Sequence, residues 1–364
     1  MHAARLGWDA GWQHSLDTLA ADAGEGVVVA RVCRVDAGAC DLMLPGETGV
    51  ERVTARWSAR LHHDAADDPT TVPATGDWAL IEPHTGAQRS APWAVTALLP
   101  RRTALERLGV SGTSDGQVLA ANADVVAVVE GMVPDLDLGR LERLLTLAWS
   151  SGARPAVLLT KADLHPDPAE VVAMVTESAA GCDVIAVAAP EGRGLDEPRG
   201  WLAEGATVAL LGASGVGKST LLNALVGEQA MATRSLGVEG KGRHTTVTRE
   251  LHLAPDGGAV LDTPGLRSVG LRGDEAVDEV FADVVDLADR CRFNDCTHTV
   301  EPGCAVLAAV DDGSLPERRL ASWRALEREA AFQARRSDAR LQAEYARVWK
   351  ARAKAYRARP DKKR

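Results

Sequence analysis

The segment Gly212-Ala213-Ser214-Gly215-Val216-Gly217-Lys218-Ser219 fits the pattern G-x-x-x-x-G-K-[ST] at every fixed position. The apolar run 207–211 precedes it, and Thr220-Leu221-Leu222-Asn223-Ala224-Leu225 follows it as the start of a predicted helix. Small residues between a strand and a helix let backbone N–H groups point at phosphate oxygens. The sequence therefore predicts a nucleotide-binding loop from Gly212 to Thr220. Lys218 would reach the β- and γ-phosphates, and Ser219 would ligate Mg²⁺.

Apolar strands alternate with helices on both sides of this loop. Predicted strands lie at 124–129, 156–159, 183–187, 207–211 and 259–261, and a helix with Leu138, Leu141, Leu144 and Leu145 on one face follows the first of them. Strands that alternate with helices over about 140 residues are typical of a doubly wound parallel sheet. Ligands of such sheets bind at the carboxyl ends of the strands.

Thr160-Lys161-Ala162-Asp163 stands at one of these carboxyl ends and resembles the NKxD guanine-recognition motif of GTPases. A carboxylate at Asp163 can accept two N–H groups from the N1 and N2 edge of guanine, which adenine cannot supply. Lys161 would lay its aliphatic stem over the base. Thr160 replaces the usual Asn, and Ala188-Ala189 stands where a Ser-Ala pair often follows the next strand.

Two further segments fit the switches of a GTPase. Asp262-Thr263-Pro264-Gly265 matches DxxG, in which Asp262 reaches Mg²⁺ through water and the Gly265 N–H meets the γ-phosphate. Gly242-Arg243-His244-Thr245-Thr246 lies at the right distance after the loop for Thr245 or Thr246 to ligate Mg²⁺ when a γ-phosphate is present. Leu266 occupies the position from which a Gln orients the attacking water in Ras-type GTPases, so His244 is the candidate for that role.

The order of these segments along the chain is unusual. The base-reading segment precedes the phosphate loop by about 50 residues, whereas in the usual GTPase it comes last. The order predicts a circular permutation of the domain, which compact domains tolerate because their termini lie at the surface. The DxxG segment then becomes the last element of the domain and is joined directly to whatever follows.

Short strands separated by turn residues fill residues 27–100. Candidates are 27–32 and 78–81, and Pro69, Pro73, Pro83 and Pro92 mark breaks between strands. This spacing favours a small barrel of the OB type, although Ig-like or SH3-like barrels would give a similar pattern. The region carries 6 Arg and 9 Asp/Glu. That balance is acidic for a barrel that faces RNA.

A cluster of metal-binding residue types follows the GTPase-like region. Cys291, Cys296, His298 and Cys304 supply three thiolates and one imidazole within 14 residues. This is the ligand set of a closed, four-coordinate structural zinc site. We expect Cys33, Cys40 and Cys182 to be ordinary core residues.

Composition and charge limit the remaining classes. The chain has 364 residues, 46% of them hydrophobic, and a net charge of -10. No apolar run reaches the ~18–20 residues of a membrane span, so we expect a soluble, cytoplasmic protein. Residues 317–364 carry 16 Lys/Arg and only 6 Asp/Glu, which indicates contact with a polyanion or simply a solvated helix with a disordered end.

Taken together, the permuted order, the phosphate loop, GRHTT at 242–246, DTPGLRSVGL at 262–271 and the Cys-His cluster resemble the ribosome small-subunit-dependent GTPase A family (RsgA, also called YjeQ or YloQ). The resemblance runs from about residue 27 to about residue 350. It implies a multidomain α/β protein: an N-terminal extension (1–26), an OB-fold barrel (27–102), a circularly permuted GTPase domain (103–274) and a helical zinc domain with a basic tail (275–364).

The resemblance also implies an activity and partners. It implies hydrolysis of GTP to GDP and phosphate with Mg²⁺, stimulated by the small ribosomal subunit, during late maturation of that subunit. The partners would be the subunit and its rRNA, the chain would hold one structural Zn²⁺, and we expect a monomer. From the residues alone, a P-loop ATPase or kinase and a non-hydrolysing RNA-binding adaptor remain alternatives.

Overall fold

A computed structural model of the protein describes residues 2–20, 28–46, 49–84, 91–108, 116–134, 136–179, 181–227, 249–263 and 275–337. The chain divides into two compact units, Met1–Arg107 with Asp115–Val269 and Leu108–Ser114 with Gly270–Arg364. The helices are α1 His2–Arg5, α2 Ala10–Ala20, α3 Ala59–Asp67, α4 Leu138–Ser150, α5 Pro168–Ser178, α6 Asp196–Ala203, α7 Lys218–Val226, α8 Glu275–Val280, α9 Ala282–Ala288, α10 Ala305–Asp311 and α11 Glu317–Ser337. The strands are β1 Val28–Asp36, β2 Ala39–Pro45, β3 Val50–Trp57, β4 Trp78–Pro83, β5 Trp93–Leu98, β6 Ala104–Leu108, β7 Gly116–Ala121, β8 Val125–Gly131, β9 Arg154–Thr160, β10 Asp183–Ala186, β11 Thr207–Leu211, β12 Glu250–Leu253 and β13 Ala259–Asp262.

Strands β1 to β5 form the predicted barrel. They pair in the order β1-β2-β3-β5-β4, and β4 pairs back with β1 to close the circle. The β3–β5 pair is parallel and the other pairs are antiparallel. Helix α3 connects β3 to β4. A five-stranded closed sheet of this topology is an OB-fold, so the barrel prediction is confirmed and the Ig-like and SH3-like alternatives are excluded.

The α/β sheet has the strand order β10-β9-β8-β11-β13-β12. All neighbours are parallel except β12, which runs antiparallel to β13. Every residue of β8, β11 and β13 is buried, as expected for central strands covered by helices on both faces. The predicted doubly wound sheet is therefore confirmed. The order of β9, β11 and β13 along the chain is the permuted order.

The barrel and the α/β sheet are continuous within the first unit. Strand β1 pairs with β12 at Arg34 and Glu250, and Arg52 forms an ion pair with Glu250 at 2.9 Å. The N-terminal helices also pack at this junction, where Leu6 and Trp12 are buried among side chains of β1, β2, β4, β12 and β13. This packing could not be predicted from the sequence, because residues 1–26 carry no motif.

The second unit contains α8 to α11 and the Cys-His cluster. Phe281, Val306 and Trp323 are among its buried apolar residues. Arg319 is 3% exposed and binds Asp283 and the Val280 carbonyl oxygen, which fixes α11 against α8 and α9. The residue boundaries of the predicted domains remain predictions. Within the part of the chain that the structure describes, no helix combines the length and the apolar character needed to cross a membrane.

Candidate functional site

The sequence-predicted nucleotide residues meet at one edge of the α/β sheet. Thr160 ends β9, Gly212 follows β11, Asp262 ends β13, and Glu130 and Gly131 end β8. These strands are parallel neighbours, so their carboxyl ends lie side by side. The chain reverses its direction of winding between β8 and β11, and ligands of open α/β sheets bind in the crevice at such a point. The topology therefore brings the phosphate loop and the base-reading segment to one crevice.

The phosphate loop depends on glycine at several positions. A Cβ atom on Gly212 would lie 2.3 Å from the Val129 carbonyl oxygen, so only glycine lets the loop start this close to β8. Gly215 and Gly217 adopt φ values of +87° and +102°, which disfavour other residues. Helix α7 begins at Lys218, and its first-turn N–H groups, which have no partner inside the helix, face the loop. This is the arrangement of an anion site at a helix N-terminus.

Lys218 lies inside the loop that it is predicted to serve. It is 8% exposed, and its Nζ donates to the carbonyl oxygens of Gly212 and Ala213 at 2.7 and 2.8 Å. Burial lowers the pKa of Lys218, while the charges of Asp262 and Glu130 oppose that shift. The ammonium group is thus held near the position that the loop gives to phosphates.

The base-reading segment has an acceptor ready for a ligand. Asp163 Oδ1 is buried, and no residue in the described ranges donates a hydrogen bond to it. Lys161 adopts a left-handed backbone conformation with φ +60°, and its Nζ donates to the Val133 carbonyl oxygen at 3.2 Å. The aliphatic stem of Lys161 runs past Gly131, where a Cβ atom would lie 3.6 Å from Lys161 Cδ. The aliphatic stem of Lys161 could cover the face of a guanine base, and Asp163 Oδ1 could accept a hydrogen bond from its edge.

Thr160 performs a bridging role at the position where NKxD has Asn. Its Oγ1 lies within hydrogen-bonding distance of the carbonyl oxygens of Glu130 and Val216. Val216 belongs to the phosphate loop and Glu130 to β8, so one hydroxyl joins the base-reading strand to both. A Cβ atom on Gly217 would lie 3.2 Å from the same oxygen, so Thr160 would have to shift by a few tenths of an ångström to admit a larger residue there. Thr160, which stands where the motif has Asn, therefore contacts the phosphate loop through its hydroxyl.

Asp262 supplies the carboxylate predicted for Mg²⁺. It is 6% exposed, and its Oδ1 is buried without a hydrogen-bond donor among the described residues. Burial raises the pKa of Asp262, although the charges of Lys218 and His252 act in the opposite direction. Ser219 is half-buried in the first turn of α7. A hydroxyl and a carboxylate are hard oxygen donors of the kind Mg²⁺ prefers, so these residues fit the ion.

The remaining switch residues lie outside the described residues. This applies to His244, Thr245 and Thr246 in the segment before β12, and to Pro264, Gly265 and Leu266 after β13. Their assigned roles stay predictions. The basic tail beyond Ser337 also lies outside the described residues.

The four predicted metal ligands come together in the second unit. The Sγ atoms of Cys291, Cys296 and Cys304 and a ring nitrogen of His298 all lie within 4.8 Å of one another. The Cys291 and Cys304 sulfur atoms are 3.8 Å apart. A tetrahedral zinc ion with Zn–S bonds of about 2.3 Å would separate two thiolates by about 3.8 Å. The cluster can hold a metal ion, and its donor set fits zinc.

The protein around this cluster favours the thiolate of Cys291 and fixes the imidazole of His298. Although burial works against the thiolate, hydrogen bonds from the backbone N–H groups of Ala305 and Val306 lower the pKa of Cys291. Cys304 caps helix α10 by accepting from the Leu307 N–H at 3.4 Å. His298 has φ +55°, its ring packs 5.5 Å from that of Trp323, and its carbonyl oxygen accepts from Arg324. The ligand loop is therefore shaped by α10 and α11.

One feature of the crevice was missed by sequence reasoning. Glu130 is fully buried and forms a bidentate ion pair with Arg140, with both distances 2.7 Å. A charged residue inside the apolar run of β8 is the signal that could have found it. Its partner on α4 becomes visible only once strand and helix are packed together.

Fold and site together define a class of protein. A phosphate loop, a guanine-type carboxylate and a switch aspartate lie at one edge of a permuted α/β sheet, and this is the arrangement of a circularly permuted P-loop GTPase. A family model described as RsgA GTPase matches residues 98–272. The small ribosomal subunit biogenesis GTPase RsgA of Streptomyces coelicolor is 47% identical over 363 residues, covering 98% of this chain and 94% of that protein. This chain belongs to the RsgA GTPase family, as its motifs predicted.

A further relative and two solved structures are also similar to this chain. The protein of the same name from Opitutus terrae is 43% identical over 346 residues, covering 93% of this chain and 92% of its own. Among solved structures, YjeQ from Thermotoga maritima matches with a TM-score of 0.57 and 24% identity, over 84% of this chain and 98% of that one. A structure described as YloQ, a circularly permuted GTPase, matches with a TM-score of 0.54 and 20% identity, over 84% of this chain and 96% of that one. At these identities the two structures show the shared fold.

Proposed function

We propose that this chain binds GTP at the crevice described above, hydrolyses it to GDP and phosphate, and acts in the late biogenesis of the small ribosomal subunit. The observation that carries the nucleotide choice is Asp163 Oδ1, a buried acceptor without a described donor beside the stem of Lys161. An adenine nucleotide would leave this carboxylate unpaired. The RsgA proteins with 47% and 43% identity support the ribosomal role.

The site residues then divide the work. Gly212 to Thr220 surround the phosphates, Lys218 offers its ammonium group to them, and Thr160 to Asp163 hold the base. Ser219 and Thr245 or Thr246 would ligate Mg²⁺, and Asp262 would reach the ion through water. The ion would neutralise charge on the β- and γ-phosphates. We assign the orientation of the attacking water to His244, because Leu266 has no donor or acceptor, and the γ-phosphate contact to the Gly265 N–H.

The other parts of the proposal concern partners. Cys291, Cys296, His298 and Cys304 would hold one structural Zn²⁺. The basic tail would contact rRNA phosphates, since residues 317–364 carry 16 Lys/Arg and 6 Asp/Glu. We propose that the protein works in the cytoplasm as a monomer.

A turnover assay with purified small subunits tests this function. Without a positioned Gln we expect slow hydrolysis alone, on the order of the 10⁻⁴–10⁻³ s⁻¹ of unassisted Ras, and strong stimulation by small subunits. GTP and GDP should compete for the site, and ATP should not. The variant His244→Ala should bind GTP normally and lose most of the stimulation.

Four outcomes would contradict parts of the proposal. Displacement of GTP by ATP at equal concentration would exclude guanine selectivity. Fast hydrolysis without subunits would remove the need for the partner. Full stimulation of His244→Ala would transfer the positioning of water to the ribosome. Absence of multiple turnover under all conditions would leave a non-hydrolysing adaptor.

A further inference from the structure

The carboxyl end of strand β8 packs against the phosphate loop. A Cβ atom on Gly212, the first residue of the loop, would lie 2.3 Å from the Val129 carbonyl oxygen. The Glu130 carbonyl oxygen accepts from Thr160 Oγ1, which also contacts the Val216 carbonyl oxygen inside the loop. The first residue of the loop, Gly212, therefore packs against Val129, and its fifth residue, Val216, is joined to Glu130 through the Thr160 hydroxyl. The backbone of Glu130 therefore lies beside the phosphate loop, and its side chain is a carboxylate.

Glu130 brings a fully buried negative charge to this position. Its side chain is 0% exposed, and both carboxylate oxygens accept from Arg140, Nε and Nη2 each at 2.7 Å. Arg140 lies in the first turn of α4, where its backbone N–H donates to Asp137 and its Nη1 lies 3.4 Å from the same carboxylate. The capped start of the helix therefore fixes the guanidinium group that pairs with Glu130.

Lys218 binds the carbonyl oxygen of Gly212 at 2.7 Å, and Gly212 is the loop residue that packs against the end of β8. Burial lowers the pKa of Lys218, and Glu130 is one of two carboxylates whose charge opposes this, the other being Asp262. Lys218 already bonds to Gly212 and Ala213, so it is held within the loop supported by β8. An unpaired Glu130 carboxylate would attract this ammonium group in a low-dielectric site, where opposite charges interact strongly.

We propose that Arg140 is a positioning residue for nucleotide binding: it neutralises the buried carboxylate of Glu130, so that Lys218 serves the phosphates and not Glu130. This rests on the proposed function, because it assumes that the loop takes a guanine nucleotide. Removing one partner of a buried ion pair leaves an uncompensated charge, whereas removing both can be nearly neutral. The effect of Arg140 should therefore depend on whether residue 130 carries a charge.

A double-mutant cycle on the full chain tests the proposal. The measured quantity is the affinity for the fluorescent nucleotide mant-GDP in the presence of Mg²⁺. We expect Arg140→Met to weaken binding by about tenfold or more, and Arg140→Lys, which keeps the charge, to weaken it less. The double variant Glu130→Gln/Arg140→Met should recover most of the lost affinity. Arg154→Met, which removes an exposed ion pair with Asp183 at the amino end of β9, is the matched control.

Each outcome has a defined meaning. Recovery in the double variant supports a charge effect on Lys218, since a packing role of Arg140 would leave the double variant as weak as the single one. Equal weakness of the two, or unchanged affinity of Arg140→Met, overturns the proposal. If Arg140→Met does not fold, Glu130→Gln/Arg140→Met against Glu130→Gln alone gives the comparison: similar affinities support the proposal, and a large drop on losing Arg140 overturns it. Failure of the wild-type chain to bind mant-GDP would instead refute the proposed function.

Discussion

At the scale of single residues, two carboxylate oxygens define the chemistry of the crevice. Asp163 Oδ1 and Asp262 Oδ1 are both buried without a donor among the described residues. A buried polar atom left unpaired costs about 1–3 kcal/mol, and more when it is charged. Such a cost at two positions on one sheet edge is expected where a ligand completes the hydrogen bonds. In the proposed function, Asp163 would meet the base and Asp262 the metal-phosphate end of the ligand.

The first prediction concerns Asp163→Asn. The substitution replaces an acceptor pair by a group with one acceptor and one donor, which suits the N1–H and C2 carbonyl of xanthine better than guanine. We expect GTP affinity to fall by about tenfold or more, and XTP to become the preferred nucleotide. Competition titrations with GTP, XTP and ATP measure this preference.

The variant Asp167→Asn provides the control for this substitution. Asp167 caps α5, four residues further on, by accepting from the Glu170 N–H at 3.1 Å. It should leave base preference unchanged. If Asp163→Asn binds GTP as tightly as the wild-type chain, Asp163 does not read the base.

Some contacts of single residues in the crevice could not be predicted from the sequence. The base-reading segment was predicted from its type and position, and Thr160 appeared only as a departure from the usual Asn. Its contacts to Glu130 and Val216 join residues 30 and 56 positions away. The ion pair of Glu130 with Arg140 likewise depends on how α4 packs against β8. Local pattern identifies residues whose chemistry is fixed by spacing, and it cannot identify partners that only tertiary packing brings together.

At the scale of elements, the predicted strands and helices differ in how well their pattern defines them. Strand β11 was predicted from its apolar run, and helix α7 from the phosphate-loop motif that precedes it, because this motif stands between a strand and a helix. Strands β2 and β3 were not predicted, because they are amphipathic segments whose stabilising partners are other barrel strands. Helix α2 was also missed, since its packing depends on a few residues such as Trp12. Elements held by remote partners carry a weak local signal.

The second prediction belongs to the element formed around the Cys-His cluster. Cys304 caps α10, and Cys291 accepts from the Ala305 N–H at 3.4 Å, so the ligand loop and the start of α10 form together. Structural zinc supplies about 10–16 kcal/mol of apparent folding free energy in small peptides. We expect one tightly held zinc per chain by elemental analysis. Cys296→Ala should lose it and lower the thermal transition of the second unit.

Cys182→Ala is the matched control, because that thiol is half-buried in the first unit and lies outside the cluster. It should keep the zinc and the thermal transition. Nucleotide affinity should be the same in both variants, since the phosphate loop belongs to the first unit. A metal-free wild-type chain with an unchanged thermal transition would contradict a structural metal.

At the scale of the whole molecule, the permuted order was available from the sequence, because each motif can be placed along the chain without knowing the fold. What the order could not show is how the OB barrel is joined to the α/β sheet. In the structure the joint includes a buried cation, Arg31 on β1, which is 1% exposed. Its Nη1 donates to the Leu6 carbonyl oxygen at 3.0 Å, and its Nη2 donates to Asn122 O and Thr207 Oγ1, each at 3.1 Å. One guanidinium group thus connects the N-terminal segment, the barrel and the first residue of β11.

The last prediction is that Arg31 stabilises the first unit without contributing to nucleotide binding. Burial lowers the pKa of Arg31 to about 10, with the charges of Asp124 and Asp77 opposing the shift, so the group stays charged at neutral pH. Arg31→Met would leave three acceptors without their donor, at about 1–3 kcal/mol each where they remain buried. We expect a clearly lower denaturation midpoint, followed by tryptophan fluorescence, because Trp8, Trp12 and Trp78 cluster at this joint.

Two comparisons separate this role from others. Arg60→Met removes an exposed pair with Asp64 on α3, which contributes at most about 0.5 kcal/mol, so its midpoint should stay near that of the wild-type chain. Thr207 begins β11 at the edge opposite the phosphate loop, so Arg31→Met should keep its affinity for GDP at temperatures where it is folded. An unchanged midpoint would show that the barrel and the sheet are held together by their apolar contacts alone. A loss of GDP affinity in the folded variant would instead mean that the joint shapes the phosphate loop through β11.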